Sequence, residues 1–194
     1  MRLYLIRHGE TQQAANGVYG DEAPLTERGL WQALQVAQYL RRFEITAVAS
    51  SPAVRAVQTA APLADSVRVS PTLIAELKEI NIGRLAYGVE PHVPRYFDGR
   101  LLSDFSHVGG EGFEPFRDRV LAGIDTVMAS FGSGDSVAVF THGGVKNVAM
   151  DYFSRREYSP GMRTMFENGS ISTVDVRGGQ FSVGSVNDVS HLAG

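Results

Sequence analysis

The fold is decided at residues 2–9, which read RLYLIRHG. An apolar run from Leu3 to Ile6 stops abruptly at Arg7-His8 and is followed by Gly9. A near-continuous apolar run of this length suits a strand buried on both faces, as in a parallel sheet. Residues 45–64, ITAVASSPAVRAVQTAAPLA, and residues 136–153, SVAVFTHGGVKNVAMDYF, repeat the shape: apolar run, polar switch, helical pattern. In the second unit Ser51 is expected to cap the helix, with Pro52 at its first position, where a missing N–H costs nothing.

Helical patterns fill the spaces between these units. Residues 26–43, TERGLWQALQVAQYLRRF, place Leu30, Leu34, Ala37 and Leu40 at helical spacing, with Thr26 as N-cap. Trp31, Leu34 and Ala37 read as a stripe packed into the core. Phe113 to Phe131 predicts another helix, and residues 169–186 predict a hairpin around Gly178-Gly179. Alternating strands and helices argue for an α/β fold with helices covering a mainly parallel sheet. The 194 residues suit a single domain spanning 1–194, with a lid-like insertion at 83–112 where Gly, Pro, His and aromatics mix without period.

Composition removes several classes of function. There is no cysteine, which excludes disulfides, thiolate nucleophiles and Cys-based metal sites. A net charge of -3 gives no bulk electrostatic reason to expect nucleic acid or an anionic membrane as partner. No apolar stretch reaches the length of a membrane span, and the N-terminus reads as a strand rather than a signal peptide. The expectation is a cytoplasmic protein that binds neither nucleic acid nor membrane.

In an open α/β sheet, ligands bind beyond the carboxyl ends of the strands. Arg7-His8, Ser50-Ser51 and Thr141-His142 fall there, with Arg55 in the adjoining helix. Two arginines, two histidines and nearby helix N-termini make an anion site, and the guanidinium fork matches phosphate oxygens. A neutral imidazole can attack phosphorus, and surrounding cations favour the neutral form. Its second ring nitrogen then needs a partner to fix the tautomer, commonly a backbone carbonyl. A leaving alkoxide needs a proton, for which Glu10, Glu76 and Glu79 are available. Metal binding by the histidines is disfavoured because Arg7 and Arg55 would repel a divalent cation. His92, His107 and His191 read as solvated singletons, with a reach into the pocket from the lid as the alternative for His107.

RHGET at 7–11, SSPAVRAVQTA at 50–60, LKEINIG at 77–83 and THGG at 141–144 occur in the order and setting of the histidine phosphatase superfamily, also called the phosphoglycerate mutase-like family. ENGSIS at 167–172 and NDVSHL at 187–192 resemble that family's closing segments. The resemblance implies a three-layer α/β/α sandwich and a phosphohistidine mechanism without metal or other cofactor. It implies that His8 is the nucleophile, that Arg7, Arg55 and His142 hold the phosphoryl group, and that Glu79 is the proton donor and later the base. The activity it implies is hydrolysis of a phosphomonoester on a small phosphorylated substrate, with a phosphoprotein as another possible substrate. The short 83–112 segment favours a phosphatase over a mutase. The other alternative is a phospholigand-binding module with little turnover. Three positions depart from the family pattern: Ala14 where an asparagine is common, RLAYG at 84–88, and GGEG at 109–112.

Overall fold

A computed structural model describes residues 1–12, 20–87, 104–158 and 164–193. Residues 2–9 begin as expected, with strand β1 at Arg2–Arg7. The other strands are β2 (Ala47–Ser50), β3 (Thr72–Leu73), β4 (Ser136–Thr141), β5 (Ile171–Arg177) and β6 (Gln180–Val183). They form one sheet in the order β3-β2-β4-β1-β5-β6. The pairs β2–β3, β2–β4 and β1–β4 are parallel, whereas β5 runs antiparallel to β1 and β6 antiparallel to β5. The sheet is therefore mainly parallel, with the hairpin around Gly178-Gly179 adding an antiparallel edge.

Among the described residues, four α-helices cover it: α1 (Glu27–Leu40), α2 (Val54–Val67), α3 (Phe113–Ser130) and α4 (Gly143–Phe153). Successive residues of a strand point to opposite faces, and the core divides accordingly. Leu3, Leu5, Val137 and Val139 pack with Phe116, Val120, Val145 and Phe153 from α3 and α4. Tyr4, Ile6, Ala138 and Phe140 pack with Val36, Leu40, Ala60 and Leu63 from α1 and α2. The result is a three-layer α/β/α sandwich. Both faces of β1 and β4 are buried, which is why their sequences are near-continuously apolar.

Two local readings are corrected. Thr26 does cap α1, accepting the Gly29 N–H, but the face of α1 turned to the core carries Ala33, Val36, Ala37 and Leu40. Leu30, Trp31 and Leu34 lie on the outer face and are exposed. Small residues at 33 and 37 let α1 lie close to its neighbours, and this outweighs the bulkier stripe beside them. In the second unit, α2 starts at Val54 and its N-cap is Ala53, without a side-chain cap. Ser51 is drawn elsewhere, as the site shows. Most of the 83–112 segment, from 88 to 103, lies outside the described residues, as do Ala14 and His92. Among the described residues no helix is long and apolar enough to cross a membrane.

Candidate active site

The carboxyl ends of the adjacent strands β1 and β4 are in register, Arg7 opposite Thr141. The pairing continues one residue further, since the His8 N–H donates to the Thr141 carbonyl at 2.9 Å. His8 and His142 are thereby brought side by side, with ring centroids 5.1 Å apart and an edge-on orientation. Ser51, just past β2, donates its N–H to the Phe140 carbonyl and joins the same edge.

His8 is buried, and its Nδ1 lies 2.7 Å from the Gly9 carbonyl. A carbonyl only accepts, so Nδ1 carries the proton and Nε2 keeps its lone pair. Burial, reinforced by Arg55 and then Arg7, pushes the His8 pKa well below the ordinary histidine value. The Gly9 carbonyl pulls the other way and does not prevail. The ring is therefore neutral at neutral pH, with one basic nitrogen.

The backbone carrying this ring is tied on several sides. The Gly9 N–H donates to Thr59 Oγ1 at 3.0 Å, and the Glu10 N–H to Gln32 Oε1 at 2.7 Å. Asn168 Nδ2 donates to the His8 carbonyl at 3.0 Å and to the Gly9 carbonyl at 3.2 Å. Gly9 permits a tight approach to α1, because a Cβ there would sit 2.6 Å from the Gly29 carbonyl oxygen.

His142 is the N-cap residue of α4 and is fully buried. Its Nε2 lies 2.9 Å from Ser51 Oγ. Ser51 Oγ also accepts the Ala53 N–H at 3.3 Å, and its own proton is free to be donated to Nε2. In the tautomer where Ser51 donates, the imidazole proton sits on Nδ1, a buried atom without a partner among the described residues. Burial, followed by Arg55, His8 and Arg7, pushes the His142 pKa well below its ordinary value too.

Arg7 donates from Nη1 to the Phe166 carbonyl, while its buried Nε has no partner among the described residues. Arg55, in the first turn of α2, donates from Nη1 to the Gly20 carbonyl at 3.0 Å. Burial lowers the pKa of both guanidiniums, opposed in each case chiefly by the negative charge of Glu79. Glu79 is thus the carboxylate whose charge acts on both arginines. Its Oε2 accepts the Gly144 N–H at 2.9 Å and its Oε1 the Ile80 N–H at 3.0 Å. A Cβ on Gly144 would lie 2.3 Å from Oε1, so glycine at that position is what lets the carboxylate rest on the start of α4.

The other two acids are used differently. Glu10 Oε1 accepts the Thr26 hydroxyl at 2.8 Å and Oε2 lies 3.9 Å from Arg28 Nε, placing its carboxylate at the start of α1. Glu76 packs its Cβ against Gly123 of α3, and its carbonyl accepts from Arg119 Nη1 at 2.7 Å. His107 is exposed and bonds the Asp104 carbonyl. His191, expected in solvent, is instead half-buried with Nε2 3.1 Å from the Gly169 carbonyl and its ring against Tyr39. The 3-10 turn at Ser190–Leu192 folds it back onto the start of β5.

Several supporting residues escaped the sequence reading. Arg119 fastens the segment that carries Glu79, donating to the carbonyls of Glu76, Lys78 and Glu79 at 2.7, 3.0 and 3.3 Å. Glu111 holds Arg119 with two bonds of 2.7 Å. Ser51 was read as a helix cap because serine before proline is the usual signal for one. Asn168 lies inside the ENGSIS motif, but nothing in the sequence shows its amide reaching back to His8.

Comparison with known proteins points to one family. The model of the histidine phosphatase superfamily (branch 1) matches residues 3–189. A curated relative from Salmonella paratyphi A, "Probable phosphoglycerate mutase GpmB", is 28% identical over 205 aligned residues, covering 99% of this chain and 95% of its own length. Among solved structures, Bacillus stearothermophilus YhfR superposes with a TM-score of 0.82 at 25% identity, covering 98% of each chain. The alpha-ribazole phosphatase from Shigella flexneri gives 0.75 at 25% identity, covering 97% of this chain and 96% of that one.

Proposed function

We propose that this chain, which belongs to the histidine phosphatase superfamily (branch 1), hydrolyses a phosphomonoester through a phosphohistidine on His8. The observation that carries the reading is the His8 Nδ1–Gly9 carbonyl bond at 2.7 Å, which leaves Nε2 unprotonated on a ring that lies beside His142 and in the field of Arg55 and Arg7.

His8 Nε2 attacks phosphorus, forming a P–N bond as the bond from phosphorus to the ester oxygen breaks. Arg7 and Arg55 lie against the equatorial oxygens, and the His142 Nδ1–H adds a neutral donor. The leaving oxygen takes its proton from Glu79 in its carboxylic acid form, which the incoming phosphate's negative charge favours, and Glu79 becomes the carboxylate. In the second half, the Glu79 carboxylate takes a proton from water, whose oxygen attacks phosphorus and displaces His8. Phosphate leaves, and both residues return to their starting states. The contact of Glu79 with the α4 N-terminus, next to His142, and its charge acting on both arginines support this role.

Incubation with a labelled small phosphomonoester tests this. A covalent label stable to base and labile to acid is expected, and it is absent from His8→Ala together with phosphate release. If a broad panel of phosphate esters gives neither label nor release with the wild type, the chain is a binding module instead. Resemblance to a named mutase keeps a second reading in view, in which His8 returns its phosphoryl group to a bound phosphoglycerate. Isomerisation of phosphoglycerate outpacing phosphate release, in the presence of a bisphosphate primer, would establish the mutase.

A further inference from the structure

Lys146 takes no part in the chemistry above, yet it is fully buried one turn into α4. Its surroundings are those of a core position. The side chain lines a small internal void together with Leu3, Leu5, Leu77, Val139 and Phe153. An apolar residue of similar length would fit such a place. Burying an ammonium group there is costly unless something satisfies it.

Its partners are neutral, and they all lie in one stretch of chain. Nζ donates to the Ser170 carbonyl at 2.9 Å and to Ser170 Oγ at 3.0 Å, and sits 4.4 Å from the centre of the Phe166 ring. Two acceptors and an aromatic face match the three N–H bonds of an ammonium. Burial, with Arg7 second, pushes the Lys146 pKa well below its ordinary value, in keeping with the cost of holding a cation there.

The same stretch holds the catalytic strand end. The Ser170 carbonyl that accepts from Lys146 also accepts the Arg7 N–H at 3.1 Å. The Phe166 carbonyl, beside the ring under Nζ, accepts from the Arg7 guanidinium. Between them, the Gly169 N–H donates to the Arg7 and His8 carbonyls at 3.1 and 3.2 Å. Residues 166–170 thus form a strap under Arg7 and His8, and Lys146 fastens it to α4. The N-terminus of α4 supplies the opposite wall of the site, through His142 and Gly144.

We propose that Lys146 is a positioning residue for phosphate binding, fixing the Arg7 guanidinium relative to the N-terminus of α4 through Ser170 and Phe166. The inference rests on the phosphoryl-transfer reading of the site. It accounts for a polar side chain where the fold would accept an apolar one: the lysine costs stability and contributes geometry.

The test sets stability against binding. Lys146→Met keeps length and removes the donors, and Lys146→Met combined with Ser170→Ala also removes the hydroxyl that the first change orphans. Thermal midpoints and the dissociation constant of inorganic phosphate would be measured by calorimetry, with kcat and KM for p-nitrophenyl phosphate. The double variant is expected to melt at or above the wild-type temperature, because a buried polar cluster gives way to apolar groups. Its phosphate dissociation constant and KM are expected to rise about tenfold or more, as a misplaced guanidinium loses its fit. Unchanged phosphate affinity in both variants overturns the proposal, and so does a loss of affinity that comes with a loss of thermal stability in both. Wild-type protein that binds phosphate but forms no label defeats the hydrolysis reading alone. Wild-type protein that does not bind phosphate defeats both.

Discussion

Helices α1 and α4 both begin beside the site, but they distribute polarity in opposite senses. Nine of the eleven residues of α4 are buried, and Lys146, Asn147 and Asp151 are among them. On α1 the outer face carries Leu30, Trp31 and Leu34, at 48%, 40% and 57% exposure. A helix that merely covers a sheet has its polar side outward. α4 turns polar groups inward because they hold other segments in place: Asn147 bonds the Gly143 carbonyl and both backbone groups of Thr164. α1 touches the site through its first two turns, where Thr26 holds Glu10, Gly29 packs on Gly9 and buried Gln32 accepts the Glu10 N–H, and the rest of it serves as a layer. Inward polar residues on either helix thus mark where it builds the site, a single Gln32 on α1 against Lys146, Asn147 and Asp151 on α4.

The sharpest way to break that contrast is at Gly144. Alanine there would bring its Cβ within 2.3 Å of Glu79 Oε1. The nearest obstacle is the end of a side chain rather than backbone, so the helix stays and the carboxylate moves. Gly144→Ala is expected to lower kcat about 100-fold on an alkyl phosphate, a loss of the size that misplacing a reacting group produces. The loss should be smaller on p-nitrophenyl phosphate, whose leaving group needs little protonation. Thermal stability should change little. Equal losses on both substrates would remove Glu79 from the role of proton donor.

A smaller effect lies in the pH dependence of stability. His8 and His142 have pKa values well below ordinary, so the folded chain stays unprotonated at pH values where the unfolded chain binds protons. Their contribution is complete above the unfolded value of about 6.5 and is lost as pH falls below it. Each should cost about 1.4 kcal/mol per pH unit in that window. Half-buried His191, whose pKa burial also lowers, adds a lesser share. Carboxylates such as Asp188, held low mainly by the Ser190 N–H, act only at more acidic pH. Urea titrations between pH 7.5 and 5.5 should show this slope, and His8→Asn should flatten it. A level curve for the wild type would contradict the burial of two neutral imidazoles.

The difference between the two helices also explains how much the sequence discloses. The apolar runs of β1 and β4 were legible because both faces of each strand are buried, and that leaves no room for polar alternation. The convergence of Arg7, His8, Arg55 and His142 was legible because each stands at the end of such a run or in the first turn after it. Glu79 was legible by motif, whereas its contact with Gly144 joins residues distant in sequence and was not. Nothing in the sequence marked Lys146 and Asn147 as inward-facing, since composition cannot say which way a polar residue on a buried helix turns. On α1 the error ran the other way: Leu30, Trp31 and Leu34 outweigh Ala33, Val36 and Ala37 by size, and size was mistaken for burial.

That error gives the smallest expected effect and the cleanest check on the assignment of faces. Leu34 is 57% exposed, so Leu34→Gln removes little buried area and should change the free energy of unfolding by no more than about 0.5 kcal/mol. Leu40 is fully buried between α1 and the sheet, and Leu40→Ala should cost about 2–5 kcal/mol. Both can be read from urea denaturation at one protein concentration. A Leu34→Gln loss above about 1 kcal/mol would mean that the outer face is covered in solution. Repeating the measurement across protein concentrations would then show whether a second copy covers it, because stability gained by association rises with concentration. A result within the expected limit leaves α1 as a layer whose exposed leucines do no structural work, and leaves α4 as the helix whose burial is bound to the site.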